Sequence, residues 1–370
     1  MAGIYVHIPF CARRCIYCGF FSTVREDEAA RYVEALCSEI RQRRDYLGEL
    51  PVETIYFGGG TPSRLSAEQI GAVVETIRML FGLDALTELT VECNPDDVSI
   101  GYVTSLRQLG VNRISMGVQT FDDGLLRFLG RRHTSSQAVN AVKSCLKAGI
   151  DNISIDLMFG LPGQTPDIQQ RDLEIATGLD VKHISSYCLS YEEGSVMERM
   201  RQQKEIIPVG DDTCAGMYER MCRHMHSAGF NHYEISNFCK PDMQSRHNSS
   251  YWDGTPYMGV GAGAHSYNGS SRQWNPGNLD AYMTGIEQGS PNFETETLTS
   301  KDLYNERIML SLRTAKGIDL SGISGRDRLS VLKSAQNLIH EGLLIFENNQ
   351  LRIPESRMFV SDSIISSLFL

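Results

Sequence analysis

Three cysteines stand close together near the start of the chain, within residues 10–20. Cys11, Cys15 and Cys18 have the spacing C-x3-C-x2-C and directly follow a strand-like run at residues 3–8. Such short gaps allow three thiolates to converge on one inorganic centre. Thiolates favour zinc and the iron of iron–sulfur clusters. We call these three residues the cysteine triad.

The triad alone is compatible with more than one kind of centre. A closed zinc site or an ordinary four-iron cluster takes four protein ligands, and the next cysteine along the chain is Cys37. A zinc site completed by His7 and three ordinary reduced cysteines are therefore alternatives. A four-iron cluster held by three thiolates would keep one iron open, and an open iron can hold a small molecule.

The elements that would position the triad alternate regularly along the first half of the chain. Strands are predicted at residues 4–8, 54–57, 89–92, 113–116, 153–157 and 183–189. Amphipathic helices are predicted between them, at residues 28–44, 67–81, 102–109, 137–148 and 168–178. This alternation predicts an α/β fold with parallel strands and crossover helices, which we interpret as a partial (β/α)6 TIM-like barrel.

Polar groups follow the predicted strands in register. The second strand is followed by Gly58-Gly59-Gly60-Thr61-Pro62, the third by Glu92, the fourth by Gln119 and the fifth by Asp156. A single polar residue at such a position is commonly a helix cap. Several in register indicate a site, because the carboxyl ends of parallel strands share one face. The triple glycine lacks the lysine and spacing of a P-loop, and would let the backbone approach a ligand closely.

The motifs together resemble the radical S-adenosylmethionine (radical SAM) enzymes, in the branch of anaerobic coproporphyrinogen III dehydrogenase (HemN). The resemblance covers almost the whole chain and also rests on Tyr5-x-His7-x-Pro9, Glu92-x-Asn94-Pro95 and residues 156–165. It implies that the triad ligates a [4Fe–4S] cluster whose open iron chelates S-adenosylmethionine. The residues that it implies around S-adenosylmethionine are Tyr5, Tyr17, Gly59, Gly60, Thr61, Glu92, Gln119, Arg131 and Asp156.

Within that branch the chain is similar to the HemW group, the haem chaperones of the radical SAM family. Phe20 stands where the dehydrogenase has a further cysteine, and only ten residues precede Cys11. The signature H-N-x-x-Y-W is matched by His247, Asn248, Tyr251 and Trp252. The resemblance implies that these four residues bind haem, with His247 on the iron. His265 and Met243 are nearby candidates for the other axial position.

The residue types alone give His247 a plainer alternative. Neutral imidazole is a common ligand of haem iron, and aromatic rings can cover a porphyrin face. A histidine beside an asparagine is nevertheless more often a hydrogen-bonding loop residue. The family signature is therefore what favours the haem interpretation.

The resemblance implies that the protein passes haem to an apo-haemoprotein acceptor such as a respiratory enzyme. The alternative is an oxygen-independent coproporphyrinogen III oxidase, or another radical SAM enzyme acting on a tetrapyrrole. Phe20 and the short leading segment predict that the oxidase activity is absent. A zinc-bound interaction module is a third class, but it leaves the polar groups at the strand ends unexplained.

Composition limits the partners and the compartment. A net charge of −10 argues against nucleic acid as a main partner, because phosphate binding needs a basic surface. The sequence has no apolar run near the roughly 20 residues that span a membrane. Scattered cysteines and the absence of a signal-peptide pattern predict the reducing cytoplasm. The oligomeric state stays open, with a dimer as one option.

Three regions are predicted along the chain. Residues 1–235 form the barrel, residues 236–295 form an irregular connecting segment that carries the H-N-x-x-Y-W motif, and residues 296–370 form a smaller α+β domain. In the last region, helices at 300–315 and 324–341 precede strands at 343–346 and 351–353. This order resembles a winged-helix module, which could bind nucleic acid or serve as a packing domain.

Overall fold

Six parallel strands form the centre of the molecule, and each is followed by at least one helix. The computed structural model describes residues 1–323 and 325–370, without the side chains at 326 and 327. The parallel strands are β1 (Ala2–Ile8), β2 (Val52–Gly59), β3 (Glu88–Cys93), β4 (Arg113–Gln119), β5 (Ile153–Phe159) and β6 (His183–Cys188). The helices between them are α1 (Ala29–Gln42), α2 (Ala67–Phe81), α3 (Ile100–Gln108), α4 (Asp123–Leu129), α5 (Ser135–Lys147) and α6 (Pro166–Gly178).

The sequence predictions for this half are confirmed, with one helix missed. The strands pair in the order β1 to β6, all parallel, as a partial barrel requires. The bounds of α2 match residues 67–81, and capping boxes on Ser66 and Thr134 begin α2 and α5. The short helix α4 was not predicted.

Strand β1 separates the apolar core from a polar interior. Side chains alternate between the two faces of a strand. Ile4, Val6 and Ile8 are buried in the main hydrophobic cluster. Tyr5 and His7, on the opposite face, contact each other through the Tyr5 hydroxyl and His7 Nδ1 at 3.1 Å. The barrel interior is therefore lined by hydrogen-bonding groups.

After β6 the chain extends both edges of the same sheet. The elements are α7 (Val196–Gln202), α8 (Asp211–Ser227), β7 (Asn231–Glu234), β8 (Asn237–Cys239), α9 (Arg246–Trp252), β9 (Tyr257–Val260), β10 (His265–Tyr267), β11 (Ser271–Trp274), α10 (Leu279–Glu287) and β12 (Glu294–Thr297). The sheet order is β12-β11-β10-β9-β1-β2-β3-β4-β5-β6-β8-β7. The prediction of an irregular segment at 236–295 is wrong, because these residues form strands and helices that continue the barrel sheet.

A buried ion pair attaches α1 to this sheet extension. Arg43 donates to Glu39 at 2.9 Å, to the Gly259 carbonyl at 2.7 Å and to Ser266 at 2.9 Å. The other Glu39 oxygen accepts the Gly261 N–H at 2.8 Å. Both charged groups are almost fully excluded from water. The pair therefore joins a helix of the barrel to strands that lie more than 200 residues later.

The C-terminal region is a small unit with its own sheet. Its elements are α11 (Ser300–Leu312), β13 (Ile318–Asp319), α12 (Gly325–His340), β14 (Ile345–Glu347), β15 (Gln350–Arg352) and α13 (Ser361–Ser366). The strands pair antiparallel in the order β13-β15-β14. Asn348 and Asn349 take positive φ values of 52° and 64°, as the tight hairpin between β14 and β15 requires. The predicted helix at 324–341 matches α12, while residue 324 lies outside the described residues.

Candidate functional site

The cysteine triad lies in the loop that leaves the carboxyl end of β1. Two backbone hydrogen bonds close the loop, from Cys11 to Thr23 at 2.8 Å and from Thr23 to Pro9 at 2.7 Å. Burial raises the pKa of the Cys11 and Cys18 thiols, and the neighbouring Cys15 raises both further. The Cys18 N–H donates to the Cys15 carbonyl at 3.3 Å, so a tight turn holds these two residues next to each other. All ten cysteines are free thiols.

The backbone after β2 passes directly against the triad. A Cβ atom added at Gly60 would lie 2.7 Å from the Pro9 carbonyl oxygen and 3.0 Å from Cys11 Sγ. Gly59 takes a φ of +116°, which side chains rarely adopt. Thr61 completes this edge, with its hydroxyl 3.4 Å from Cys11 Sγ. The backbone after β2 can pass this close to β1 and the triad only because these two positions carry no side chain.

One guanidinium connects the triad to two other strand ends. Arg131 Nη1 lies 3.5 Å from Cys15 Sγ, while Nη2 donates to Asn94 Oδ1 at 2.7 Å and to the Gly117 carbonyl. The guanidinium thus links the triad loop to residues of β4 and the end of β3. Tyr17 belongs to the same neighbourhood, where burial raises its pKa and Arg131 opposes the effect.

Two buried carboxyl groups lie deeper in the barrel. Glu92 accepts the Tyr56 hydroxyl at 2.7 Å and the Gly59 N–H at 3.2 Å. Burial raises the pKa of Glu92 to about 7 and that of Asp156 to about 6. These groups exchange protons near neutral pH and can pair with a cationic group that enters the barrel.

Gln119 adopts a strained backbone beside these groups. Its φ is +71°, and the pairing of β4 with β5 shifts register at this point. Non-glycine residues rarely take such a φ, and strain of this kind is concentrated at binding sites. The distortion places the Gln119 amide over Gly117, where an added Cβ would meet the amide nitrogen at 2.9 Å.

His7 does not complete a zinc site with the triad in this structure. Its Nδ1 faces the Tyr5 hydroxyl, and its Nε2 faces the Phe21 carbonyl at 3.0 Å. Burial lowers the pKa of His7 to about 4, so the ring is neutral and its two nitrogens serve these two hydrogen bonds. His7 is therefore not available as the fourth ligand of a zinc site at the triad.

The motif helix α9 carries His247 into the core. The ring is fully buried, with Nδ1 2.8 Å from the Thr54 hydroxyl and Nε2 2.9 Å from the Tyr251 hydroxyl. It stacks on Tyr56 at 5.1 Å between ring centroids. The Glu88 carboxylate accepts the His247 N–H at 3.0 Å and so holds the first turn of the helix.

This position differs from the expectation that His247 offers an open nitrogen to haem iron. Burial lowers the pKa of His247 to about 3, so the imidazole is neutral, but both nitrogens are occupied. Within the described residues, no hydrogen bond joins the Asn248 side chain to the ring. The motif also adjoins the polar interior of the barrel. Tyr56 contacts His247 on one side and donates to Glu92 on the other.

A groove lies beside α9, on the strands of the sheet extension. It consists of two adjoining cavities of about 280 Å³ and 440 Å³ that share Tyr257 and Arg272. Tyr251 of the motif lines the smaller cavity, and His265 and Trp274 line the larger one. The register of β10 and β11 places His265 opposite Trp274, with ring centroids 5.7 Å apart.

His265 is the exposed histidine of this groove. No hydrogen bond reaches its ring nitrogens from the part of the chain that the structure describes. Partial burial and the nearby Arg272 lower its pKa, which favours the neutral ring that ligates metals. Arg272 itself pairs with Glu306 at 2.6 Å. The sequence reasoning missed Tyr257, Arg272 and Trp274, because strands of three and four residues give almost no alternation signal.

No helix among residues 1–323 and 325–370 combines the length and apolar character needed to cross a membrane.

Comparison with known proteins identifies the family. A model of the radical SAM superfamily matches residues 5–173, and a model of the HemN C-terminal domain matches residues 298–360. The heme chaperone HemW of Bacillus subtilis is 38% identical, with 86% of this chain and 85% of that protein covered. The heme chaperone HemW of Lactococcus lactis is 34% identical, with 99% and 97% covered.

A solved structure shows the same fold. Coproporphyrinogen III oxidase (HemN) from Escherichia coli superposes with a TM-score of 0.86 over 100% of this chain and 90% of that one, at 22% identity. The sequence identities to the two bacterial proteins show that the chain belongs to the HemW family of radical SAM proteins.

Proposed function

We propose that this protein is a haem chaperone that binds haem in the groove beside α9 and passes it to an apo-haemoprotein. The relatives that are named heme chaperones support haem as the bound molecule. The observation that carries the proposal is the groove itself, where His265, whose ring nitrogens accept or donate no hydrogen bond among the described residues, and the ring of Trp274 adjoin the motif residue Tyr251. Arg272, Glu296 and Glu306 add charged groups to its aromatic lining, and cavities of several hundred Å³ suit small ligands.

The same chain would carry a [4Fe–4S] cluster on the cysteine triad. The residues fit this group, because three thiols lie in one short loop, the Arg131 guanidinium lies 3.5 Å from Cys15 Sγ, and the absence of a side chain at Gly60 lets the backbone after β2 pass close to Cys11. Three protein ligands leave one iron open for S-adenosylmethionine. When bound, the two groups supply one-electron chemistry. Glu92, in its ionised form, would pair with the amino group of S-adenosylmethionine.

Other residues would complete the pocket for S-adenosylmethionine. The residues around the carboxyl ends of the strands that we assign to it are Tyr5, Tyr17, Gly59, Thr61, Gln119, Arg131 and Asp156. Their chemistry supports the assignment: the strand ends supply backbone groups, two carboxyl groups and one guanidinium around a polar interior. Binding of S-adenosylmethionine at Glu92 would then affect His247 through Tyr56, which donates to Glu92 and stacks on His247.

The haem iron has two candidate ligands on this chain. His265 is available without rearrangement. His247 becomes available if the Tyr251 hydroxyl leaves Nε2, and the groove next to Tyr251 has room for that side chain to move. Asn248 and Trp252 lie on the same helix and would support its position.

Haem titration of the full-length chain, followed by absorbance, tests the proposal and separates the two ligands. We expect His265→Ala to weaken binding at least about tenfold, or ~1.4 kcal/mol, with a shifted absorbance spectrum. Tyr251→Phe frees Nε2 without a cavity, so it strengthens binding if His247 ligates iron. His340→Ala, on the exposed surface of α12, is the control. Absence of haem binding by the unaltered chain would refute the chaperone proposal.

The fold similarity to coproporphyrinogen III oxidase supports one competing function. That enzyme shares the architecture along the whole chain. Phe20 takes the place of the further cysteine, and its side chain is 70% exposed beside the triad loop. We therefore expect no conversion of coproporphyrinogen III under anaerobic conditions with cluster, S-adenosylmethionine and reductant supplied. Repeated turnover would establish the oxidase instead.

A further inference from the structure

Four side chains with metal-binding atoms meet where α8 and β7 contact the C-terminal unit. Cys222 and His226 lie one turn apart on α8, and residues four apart share a helix face. His232 belongs to β7, and Glu355 begins the short helix Glu355–Val360 of the C-terminal unit. None of these residues belongs to the sites described above.

The distances between their ligand atoms are short. The ligand atoms of Cys222, His232 and Glu355 all lie within 4.8 Å of one another. Glu355 Oε1 is 2.8 Å from His232 Nδ1 and 2.7 Å from His226 Nε2. Two imidazole rings therefore point at one carboxylate oxygen, and a buried thiol lies beside it. The hydrogen-bonded arrangement without metal already holds the ligand atoms near the spacing of a coordination shell.

The surroundings of His232 also match those of a metal ligand. Ligating histidines usually donate their second ring N–H to a carbonyl or carboxylate, which fixes the ring. His232 directs Nδ1 at Glu355, while Nε2 faces the Ile235 carbonyl at 3.4 Å. The ring stacks on Phe238 with centroids 4.3 Å apart and an interplanar angle of 12°. The Ile235 carbonyl and the Phe238 ring thus both fix the orientation of the His232 imidazole.

We propose that Cys222, His232 and Glu355 bind one zinc ion, with His226 as the fourth ligand. One sulfur, two imidazole nitrogens and one carboxylate oxygen all belong to the ligand types that bind zinc, and four of them suit its tetrahedral geometry. Calcium and magnesium prefer all-oxygen sites and are disfavoured by the thiol. His226 and Glu355 are each nearly half exposed, so the ion can reach the site from solvent.

Zinc at this place would fasten the C-terminal unit to the barrel. Glu355 comes from that unit, whereas the other three ligands come from elements that extend the barrel. The neighbouring Phe359 packs on Tyr218 at 5.2 Å between ring centroids, so an apolar contact already exists there. Zinc binds the thiolate form of cysteine, so binding would release the thiol proton of Cys222 and would weaken as pH falls.

Metal titration of full-length chains tests this site independently of haem and of the cluster. The background carries Cys→Ala changes at all three positions of the cysteine triad, so that zinc cannot bind there. We expect one zinc per chain, a thiolate-to-cobalt absorption band with Co²⁺, and a higher unfolding temperature with zinc. Cys222→Ser should abolish all three, and Cys214→Ser, on the same helix, should abolish none.

Glu355→Gln provides a second variant at an exposed position, where folding is not at risk. We expect it to weaken zinc binding at least tenfold while the circular dichroism spectrum stays unchanged. Two results would overturn the proposal. One is the absence of stoichiometric zinc in the background chain, and the other is a zinc affinity of Cys222→Ser and Glu355→Gln equal to that of the background chain. Loss of haem binding in separate experiments would not affect either outcome.

Discussion

Glu92→Gln should stabilise the folded chain at alkaline pH in the absence of cluster and S-adenosylmethionine. Burial raises the pKa of Glu92 from 4.5 to about 7. Between these values the folded state holds a proton that the unfolded state has released, so the free energy of unfolding falls as pH rises. A difference of about 2.5 units, at ~1.4 kcal/mol per unit, gives about 3 kcal/mol.

The substitution keeps the hydrogen bonds that surround the side chain. The amide oxygen of glutamine can accept the Gly59 N–H, and its NH₂ group can donate to the Tyr56 hydroxyl oxygen. The variant therefore resembles the protonated form of Glu92 at every pH. Its advantage over the unaltered chain should be near zero at pH 4.5 and should reach its full size above pH 7.

Urea unfolding followed by circular dichroism at several pH values between 4.5 and 8 measures this difference. Glu34→Gln, on the exposed face of α1, removes one carboxylate from the surface and serves as the control. Equal stability of the Glu92→Gln variant and the unaltered chain at pH 8 would show that Glu92 is not buried as an ionised group. A pH-independent difference would show that the effect comes from packing.

Three further predictions concern the barrel. Iron and sulfide reconstitution should give a four-iron cluster in Cys37→Ala but none after Cys→Ala changes throughout the cysteine triad, as measured by iron content. Gly60→Val should abolish the effect of S-adenosylmethionine on the electron paramagnetic resonance spectrum of the cluster, because its side chain would meet Pro9 and Cys11; an unchanged response would refute this. Arg43→Met should cost about 3–5 kcal/mol of unfolding free energy, since it leaves the Glu39 carboxylate buried without its partner. The double variant Arg43→Met with Glu39→Leu should recover most of that loss. An equal loss of unfolding free energy in the single and double variants would contradict the pairing of Arg43 with Glu39.

Much of the barrel could be predicted because its signals are local. Strand–helix alternation and caps such as Ser66 are readable within a few residues, and polar groups at successive strand ends indicate a shared face. The same reasoning placed Gly60 and Glu92 near the triad. The family resemblance added residue roles that spacing alone does not supply.

The position of His247 could not be predicted in this way. Its burial depends on where α9 docks against β2 and β3, through Thr54 and Glu88, which are more than 150 residues away along the chain. A motif shows which side chains occur together, but not which of them faces the core. The cluster of Cys222, His232 and Glu355 was missed for a related reason, because its members come from three elements that meet only in the folded chain.

The parallel pairing of β9 with β1 has a consequence for how the chain folds as it is made. Strand β1 emerges first, yet one of its edges stays unpaired until residues 257–260 have been synthesised. Contacts of such long sequence separation close slowly, and open strand edges invite association between chains. The loop that holds the cysteine triad is therefore flanked by an incomplete sheet throughout most of translation. Iron delivered before that pairing would meet an unfinished binding loop, so cluster insertion is expected to follow the synthesis of β9.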